Sequence, residues 1–197
     1  MRVLAADVMH LVRTLGLAPV HLLGTSMGGF VAQEVALAAP ELCRSLILCH
    51  TGCRMSIPDD VLAARLRALR EQPMPAYGAL VASQALAPQA PVALREWLVD
   101  LVARNDGEAY TQVLVEGLSR FDASERVSQI RLPTLVLVGE LDRVIPPEEG
   151  RELAGRIPGA RLMSVAGTGH LSYAERPDAF NQAVLEFLAT LDSAAGV

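Results

Sequence analysis

Apolar and polar positions follow two patterns that alternate along the chain. Four short, continuous apolar runs predict buried strands, and they lie at residues 19–24, 45–50, 133–139 and 161–165. Strands that are apolar on both faces are typical of a parallel sheet covered by helices on both sides. Apolar residues at helical spacing predict helices at residues 2–16, 27–39, 147–156 and 180–191. The glycine- and alanine-rich residues 194–197 are expected to fray.

This alternation stops between residues 52 and 130, where helical patterns follow one another without a clear strand. Three apolar faces stand out: Leu62, Leu66 and Leu69; Leu94, Trp97, Leu98 and Leu101; and Tyr110, Val113, Leu114, Gly117, Leu118 and Phe121. We therefore predict a three-layer α/β fold with a mostly parallel sheet of four strands. Residues 1–51 and 131–197 form its core, and residues 52–130 form a helical cap inserted between two strands.

Composition narrows the classes of function. The chain has 197 residues, 51% of them hydrophobic, and a net charge of −5, so it offers no electrostatic basis for binding nucleic acid or an anionic membrane. It shows no apolar run of membrane-spanning length and no signal-peptide pattern, which predicts a cytoplasmic protein. The odd, clustered cysteines Cys43, Cys49 and Cys53 do not suggest a disulfide framework. Cys49, His50 and Cys53 lack a second ligand pair at metal-binding spacing, so no metal is predicted.

The most informative stretch runs from Gly24 to Gly28, where Ser26 has a glycine two residues away on either side. An apolar run ends at Gly24 and a helical pattern begins directly after Ser26. This G-x-S-x-G spacing predicts a strand, a sharp turn and a helix that expose a nucleophilic serine. The two glycines are expected to leave room for the crowded backbone, and the N-terminus of the helix points its free N–H groups at the reacting centre.

A serine hydroxyl becomes a good nucleophile only when a base removes its proton and a carboxylate orients the base. In a parallel sheet such groups come from loops beyond the carboxyl ends of the strands. Of the four histidines, His170 is in a glycine-flanked loop after the fourth predicted strand, and His50, the alternative, ends the second strand. Asp142 follows the third strand and is the predicted acid, with Glu140 as its competitor.

Together these segments resemble the serine-nucleophile branch of the α/β-hydrolase family, whose chain order is Ser, acid, His. The resemblance rests on the stretch around Ser26, the strand and loop from Pro133 to Pro146, and Gly169-His170 followed by Glu175-Arg176-Pro177. It implies that Ser26 attacks an acyl carbon, His170 acts as base and then acid, and Asp142 orients His170. The backbone N–H of Met27 supplies one oxyanion donor.

The resemblance further implies hydrolysis of an ester, lactone or related acyl bond in a small substrate, without metal or organic cofactor. The Leu, Ala and Val content of the predicted cap and its few charged residues favour a largely apolar substrate. The same fold also serves C–C hydrolases, lyases and cofactor-free oxygenases, and those alternatives stay open. Family members usually carry further strands before the segment that matches residues 2–16. From that difference we expect a truncated chain with an uncovered apolar sheet edge at residues 19–24 that favours self-association. A non-catalytic remnant or binding module is the rival from another class.

Overall fold

A computed structural model of the chain, which describes residues 1–55 and 57–194, contains one sheet of four parallel strands in the order β1–β2–β3–β4. The strands are β1 (Val20–Thr25), β2 (Cys43–Cys49), β3 (Thr134–Gly139) and β4 (Arg161–Val165). The four predicted strands are thus confirmed, with ends shifted by one or two residues. The expectation for residues 195–197 lies outside the described part of the chain.

Helices fill most of the remaining chain. They are α1 (Arg2–Thr14), α2 (Met27–Ala38), α3 (Asp59–Glu71), α4 (Met74–Ala85), α5 (Val92–Ala103), α6 (Gly107–Gln112), α7 (Pro147–Arg156), α8 (Ser172–Glu175) and α9 (Pro177–Ala194). Short 3₁₀ turns lie at Pro40–Leu42 and Val127–Gln129.

Side chains of β2 alternate between two apolar cores, as the pleat of a strand requires. Leu46 and Leu48 pack with Phe30 of α2 and with side chains of α7 on one face of the sheet. Ile47 and Cys49 pack with side chains of α9, including Phe180 and Phe187, on the other face. The sheet therefore lies between two helical layers, and the predicted three-layer α/β fold is confirmed.

Helix α1 packs on α2, and its buried face differs in part from the predicted one. Ala5 and Val12 are buried against Val31 and Val35 of α2. The prediction grouped Leu4, Leu11 and Leu15 on this face, but these side chains are 40%, 56% and 58% exposed.

Helices α3 to α6 lie between β2 and β3 and are called the helical segment below. They enclose an apolar cluster of their own, which includes Leu69, Tyr77, Leu98 and Leu114. The predicted face of α5 is partly wrong, because Leu98 is buried while Trp97 and Leu101 are 46% and 47% exposed. Backbone hydrogen bonds tie the two ends of the segment together, from Met55 N–H to the Phe121 carbonyl at 3.0 Å and from Ala123 N–H to the Cys53 carbonyl at 2.8 Å.

The third predicted helix of this segment is shorter than its apolar spacing indicates. Asp106 caps α6 by accepting the N–H of Ala109 at 2.8 Å, and the helix continues as a wider π-helical turn over Val113–Leu118. Phe121 therefore lies beyond the helix and packs against Phe30 instead, with ring centroids 4.5 Å apart. The exact division of the chain at residues 51/52 and 130/131 stays a prediction.

Strands β1 and β4 form the edges of the sheet within the described residues. On β1, the side chain of Leu23 is 43% exposed. Self-association through this edge stays a prediction. None of the helices in the described part of the chain has the length and apolar content needed to span a bilayer.

Candidate active site

Ser26 lies on a strained turn between β1 and α2. Its φ of 51° and ψ of −119° belong to a region that residues other than glycine rarely adopt. The turn is held by a hydrogen bond of 2.8 Å from the Ser26 N–H to the carbonyl of Cys49, at the end of β2. Strand β2 thus fixes the serine at the carboxyl edge of the sheet.

The glycines around Ser26 do not share the role that their spacing suggests. A Cβ on Gly24 would collide with the Gly28 carbonyl and would lie 2.8 Å from the Gly29 nitrogen. A Cβ on Gly28 would meet nothing within 4 Å. A Cβ on Gly29 would lie 2.5 Å from the Thr51 side chain. Crowded backbone therefore requires a glycine at position 24, and the Thr51 side chain requires one at position 29. The predicted steric role of Gly28 is wrong.

A chain of hydrogen bonds connects Ser26, His170 and Asp142. His170 Nε2 is 2.8 Å from Ser26 Oγ, and His170 Nδ1 is 2.7 Å from Asp142 Oδ2. A carboxylate only accepts, so Nδ1 carries the proton and Nε2 accepts the hydrogen bond of the Ser26 hydroxyl. The structure thus brings the three predicted side chains together in the geometry of a base poised beside a hydroxyl. Their catalytic roles remain predictions.

Asp142 is held on both of its oxygens. Oδ1 accepts the backbone N–H groups of Val144 and Ile145, both at 2.9 Å, while Oδ2 faces His170. Burial of this carboxyl raises its pKa, but the hydrogen bond and charge of His170, contact with His50 and the Ile145 N–H outweigh burial. The pKa of Asp142 therefore lies below its usual range, and the group is a carboxylate at neutral pH.

Glu140, the competing acid, serves the neighbouring loop instead. Its Oε2 accepts the backbone N–H of Gly167 at 2.8 Å, and the residue is exposed. This bond ties the loop after β3 to the loop after β4. The described contacts of Glu140 therefore place its carboxylate on loop backbone, whereas that of Asp142 faces His170.

His50 is a second imidazole on Asp142. Its Nδ1 lies 3.3 Å from Asp142 Oδ2 without a well-aligned hydrogen bond, and its Nε2 lies 2.7 Å from Ser172 Oγ. Burial lowers the pKa of His50, the charge of His170 acts in the same direction, and the nearby Asp142 opposes both without reversing them. His50 is consequently neutral at pH 7. The sequence offered His50 only as the alternative base at the end of the second strand, and no local pattern indicates its contact with Asp142.

These groups form a cluster of potential metal ligands within the described residues. The donor atoms of His50, Asp142 and His170 lie within 4.8 Å of one another. Two ligands bound at about 2.1 Å to a tetrahedral ion lie about 3.4 Å apart, whereas His170 Nδ1 and Asp142 Oδ2 are 2.7 Å apart. The spacing is that of groups hydrogen-bonded to each other. A metal-free site stays a prediction.

The loop that carries His170 is fastened to the helical segment. His170 N–H donates to the carbonyl of Ala85 at the end of α4, at 2.6 Å. Glu175 bridges the same two elements, because Oε1 accepts the N–H of Gly169 and Oε2 accepts the N–H of Ala87, each at 2.8 Å. Glu175 is half-buried and links these two parts of the chain through both carboxylate oxygens. The remaining histidines, His10 and His21, contact Thr14 and Ser45.

Ser26 and His170 open into a pocket of about 420 Å³ beneath the helical segment. Met27 also lines this pocket. It is the first residue of α2, so its backbone N–H is one of the N–H groups that have no hydrogen-bond acceptor within the helix. Most of the remaining lining comes from α4, α6 and the π-helical turn, and includes Leu80, Val81, Val113, Leu114 and Leu118. The pocket is thus largely apolar and has a few polar groups, as expected of a small-molecule site.

A parallel sheet between helical layers, with a serine on a strand-to-helix turn and an aspartate and a histidine on later loops, is the arrangement of α/β hydrolases. The model of the alpha/beta hydrolase family matches residues 2–183, and the chain belongs to this family.

Relatives agree with this assignment. A Mycobacterium tuberculosis protein named as non-heme bromoperoxidase BpoC is 33% identical over 202 residues, which cover 95% of this chain and 75% of that protein. A solved hydrolase from Pseudomonas aeruginosa superposes with a TM-score of 0.84 at 29% identity, covering 93% of this chain and 70% of the other. The enol-lactonase from Burkholderia xenovorans has a TM-score of 0.86 at 29% identity, covering 94% and 71%. The family and these names support an enzyme of the hydrolase type.

Proposed function

We propose that the protein hydrolyses an ester, lactone or related acyl bond of a small, largely apolar substrate, using Ser26 as nucleophile. One observation carries this proposal. The Ser26 hydroxyl, the His170 imidazole and the Asp142 carboxylate form a continuous hydrogen-bonded chain, with Ser26 and His170 in the wall of a pocket of about 420 Å³. This is the arrangement that removes a proton from a serine as it attacks a carbonyl carbon.

The proposed reaction proceeds in two halves. Ser26 Oγ attacks the acyl carbon while its proton moves to His170 Nε2, and Asp142 stabilises the imidazolium that forms. The negative charge on the former carbonyl oxygen is met by the N–H of Met27 at the N-terminus of α2. The tetrahedral intermediate then expels the alcohol, which takes the proton from His170. A water molecule then attacks the acyl group on Ser26 while His170 Nε2 takes its proton. The bond between the acyl carbon and Ser26 Oγ breaks, His170 returns the proton to Oγ, and the acid is released.

The pocket supports the substrate class. Its lining from α4, α6 and the π-helical turn is largely aliphatic, which suits an apolar acyl or alkyl portion. The strained φ of Ser26, 51°, supports the nucleophile assignment, since such backbone strain clusters at functional sites.

The proposal is tested with a fluorophosphonate probe and with p-nitrophenyl butyrate. The wild-type protein should be labelled at Ser26 and should release p-nitrophenol above the buffer rate. Ser26→Ala should abolish both, and Ser83→Ala, an exposed serine of α4, should change neither. Labelling that persists in Ser26→Ala would exclude Ser26 as the nucleophile. Absence of labelling and turnover in a folded wild-type protein would support the non-catalytic rival instead.

A further inference from the structure

Arg65 of α3 brings a positive charge into the same pocket as Ser26 and His170. The residue is half-buried, whereas Arg67 and Arg70 of the same helix are exposed. Arg65 is the one arginine or lysine among the described residues that line the pocket, so it supplies the permanent positive charge that a ligand meets there.

The described side chains do not neutralise this charge. Positions three and four residues away on α3 are Val61, Leu62, Ala68 and Leu69, so the helix supplies no carboxylate to Arg65. Of the residues that the structure describes, none forms an ion pair or hydrogen bond with its guanidinium. Among the described pocket-lining residues the one carboxylate is Asp106, which is exposed and uses Oδ1 to cap α6.

The Arg65 guanidinium acts electrostatically on two tyrosine hydroxyls of the same pocket. Tyr77 of α4 and Tyr110 of α6 line the pocket with their rings 5.5 Å apart in an edge-on contact. Burial raises the pKa of Tyr77 to about 12, the Tyr110 hydroxyl adds to the rise, and the Arg65 guanidinium acts against both. Burial also raises the pKa of Tyr110, again against the effect of Arg65. Both tyrosines are therefore neutral at pH 7 and can donate hydrogen bonds beside the cation.

We propose that Arg65 binds a carboxylate on the substrate, so that the preferred substrate is an ester or lactone with a second, free carboxylate. The inference rests on the proposed function, because the scissile acyl group occupies the same pocket at Ser26. A guanidinium presents a planar fork that matches both oxygens of a carboxylate, and the hydroxyls of Tyr77 and Tyr110 add donors. A neutral ester of equal size leaves the cation unpaired and binds less well.

The test uses two substrates that differ in one charge. Mono-p-nitrophenyl glutarate carries a free carboxylate, and its methyl ester has that carboxylate masked. The ratio of kcat/KM for the monoester to that for the methyl ester should favour the monoester in the wild type. It should fall about 10- to 100-fold in Arg65→Gln, as expected for a lost charge-assisted hydrogen bond. Arg65→Lys should retain part of the preference, and Arg67→Gln, the exposed control on α3, should retain all of it.

Binding to Ser26→Ala separates this inference from the proposed chemistry. Calorimetry should show that monomethyl glutarate binds more tightly than dimethyl glutarate, and that adding Arg65→Gln removes the difference. If the wild type hydrolyses both p-nitrophenyl esters with equal kcat/KM, the inference is overturned while ester hydrolysis stands. If neither ester is hydrolysed but Ser26→Ala shows the Arg65-dependent preference, the carboxylate site stands and the proposed reaction does not. An Arg65→Gln variant that lowers kcat/KM for both substrates equally overturns the inference.

Discussion

His50 lies 3.3 Å from Asp142, against the same carboxylate oxygen that His170 approaches to 2.7 Å. The two imidazole rings meet edge-on, with centroids 5.5 Å apart. Since burial holds His50 neutral, His50 does not compete as a cation for the negative charge of Asp142, which can therefore stabilise a protonated His170. We therefore expect His50, whose Nε2 lies 2.7 Å from Ser172 Oγ, to act on Asp142 as a positioning residue.

Replacing His50 by Gln tests this positioning role. We expect kcat to fall about 5- to 10-fold with KM unchanged, because Asp142 loses a neighbour that limits its orientation; a change of that size in rate corresponds to about 1 kcal/mol in the activation barrier. His50 does not belong to the described pocket lining, so substrate binding should not suffer. Steady-state kinetics on p-nitrophenyl butyrate provide the measurement. A rise in KM with constant kcat would show that His50 acts on the substrate rather than on Asp142.

The pH dependence of stability should follow from the same pair. The pKa of His50 is lowered from 6.5 and that of Asp142 from 3.8, so in both cases the unfolded chain takes up protons before the folded chain does. The contribution of both groups to the free energy of unfolding should therefore be fully present above pH 6.5. It should fall as the pH drops below 6.5, because of His50, and fall further below pH 3.8, because of Asp142. Urea denaturation at pH 7 and pH 5 should show a smaller difference in His50→Gln than in the wild type. An equal difference in the two proteins would contradict this assignment.

The two acidic residues after β3 should behave differently on neutralisation. Asp142→Asn should lower kcat by roughly 10²- to 10⁴-fold, because His170 loses the carboxylate that orients it and stabilises its charge. Glu140→Gln should change kcat less than about threefold, since its oxygen accepts the Gly167 N–H and an amide oxygen can do the same. Esterase assays of the two variants at pH 7 decide the matter. The opposite ranking would assign the acid to Glu140.

The glycines on either side of Ser26 should also differ. Gly24→Ala should lower the free energy of unfolding by about 1–3 kcal/mol, because the new Cβ collides with the Gly28 backbone. Gly28→Ala should leave it unchanged or raise it by about 0.5–1 kcal/mol, because the site is open and alanine favours a helix. Chemical denaturation of both variants is the measurement. Equal losses of stability in the two variants would mean that local crowding does not explain why glycine is needed at position 24 and not at position 28.

Glu175 should contribute to stability through the loop that carries His170. Glu175→Ala leaves the N–H groups of Gly169 and Ala87 without their acceptor, at a cost of about 1–3 kcal/mol each. Glu186→Ala, on the exposed side of α9, should cost less than about 0.5 kcal/mol. Thermal and urea unfolding of both variants should show this contrast. Equal stability of the two would indicate that the bridge to α4 contributes little.

Local patterns predicted most of the fold. Apolar runs predicted all four strands to within two residues. Strands β2 and β3 are buried almost throughout, because a strand covered on both faces leaves few positions for polar groups. The edge strands β1 and β4 keep several exposed positions. Helical spacing was less reliable where helices pack on helices. On α1 and α5, contact with a neighbouring helix rather than apolar character alone decided which face is buried, so Leu11 and Trp97 lie outside.

The sequence by itself determined the candidates for the chemistry. The turn around Ser26 and the positions of Asp142 and His170 after β3 and β4 all place side chains at the carboxyl edge of one sheet, and chain order is enough to predict that. The structure then brings these three side chains within hydrogen-bond distance of one another.

Tertiary structure alone decided which other side chains contact the Ser26, His170 and Asp142 site. His50 meets Asp142, and Glu175 joins the His170 loop to α4, across more than eighty residues of chain, so no local spacing could reveal either contact. The same holds for Arg65, whose position in the pocket depends on how α3 packs against α4 and α6. Periodicity specifies which residues are buried within an element, but the partner of a polar side chain depends on how separate elements approach in space.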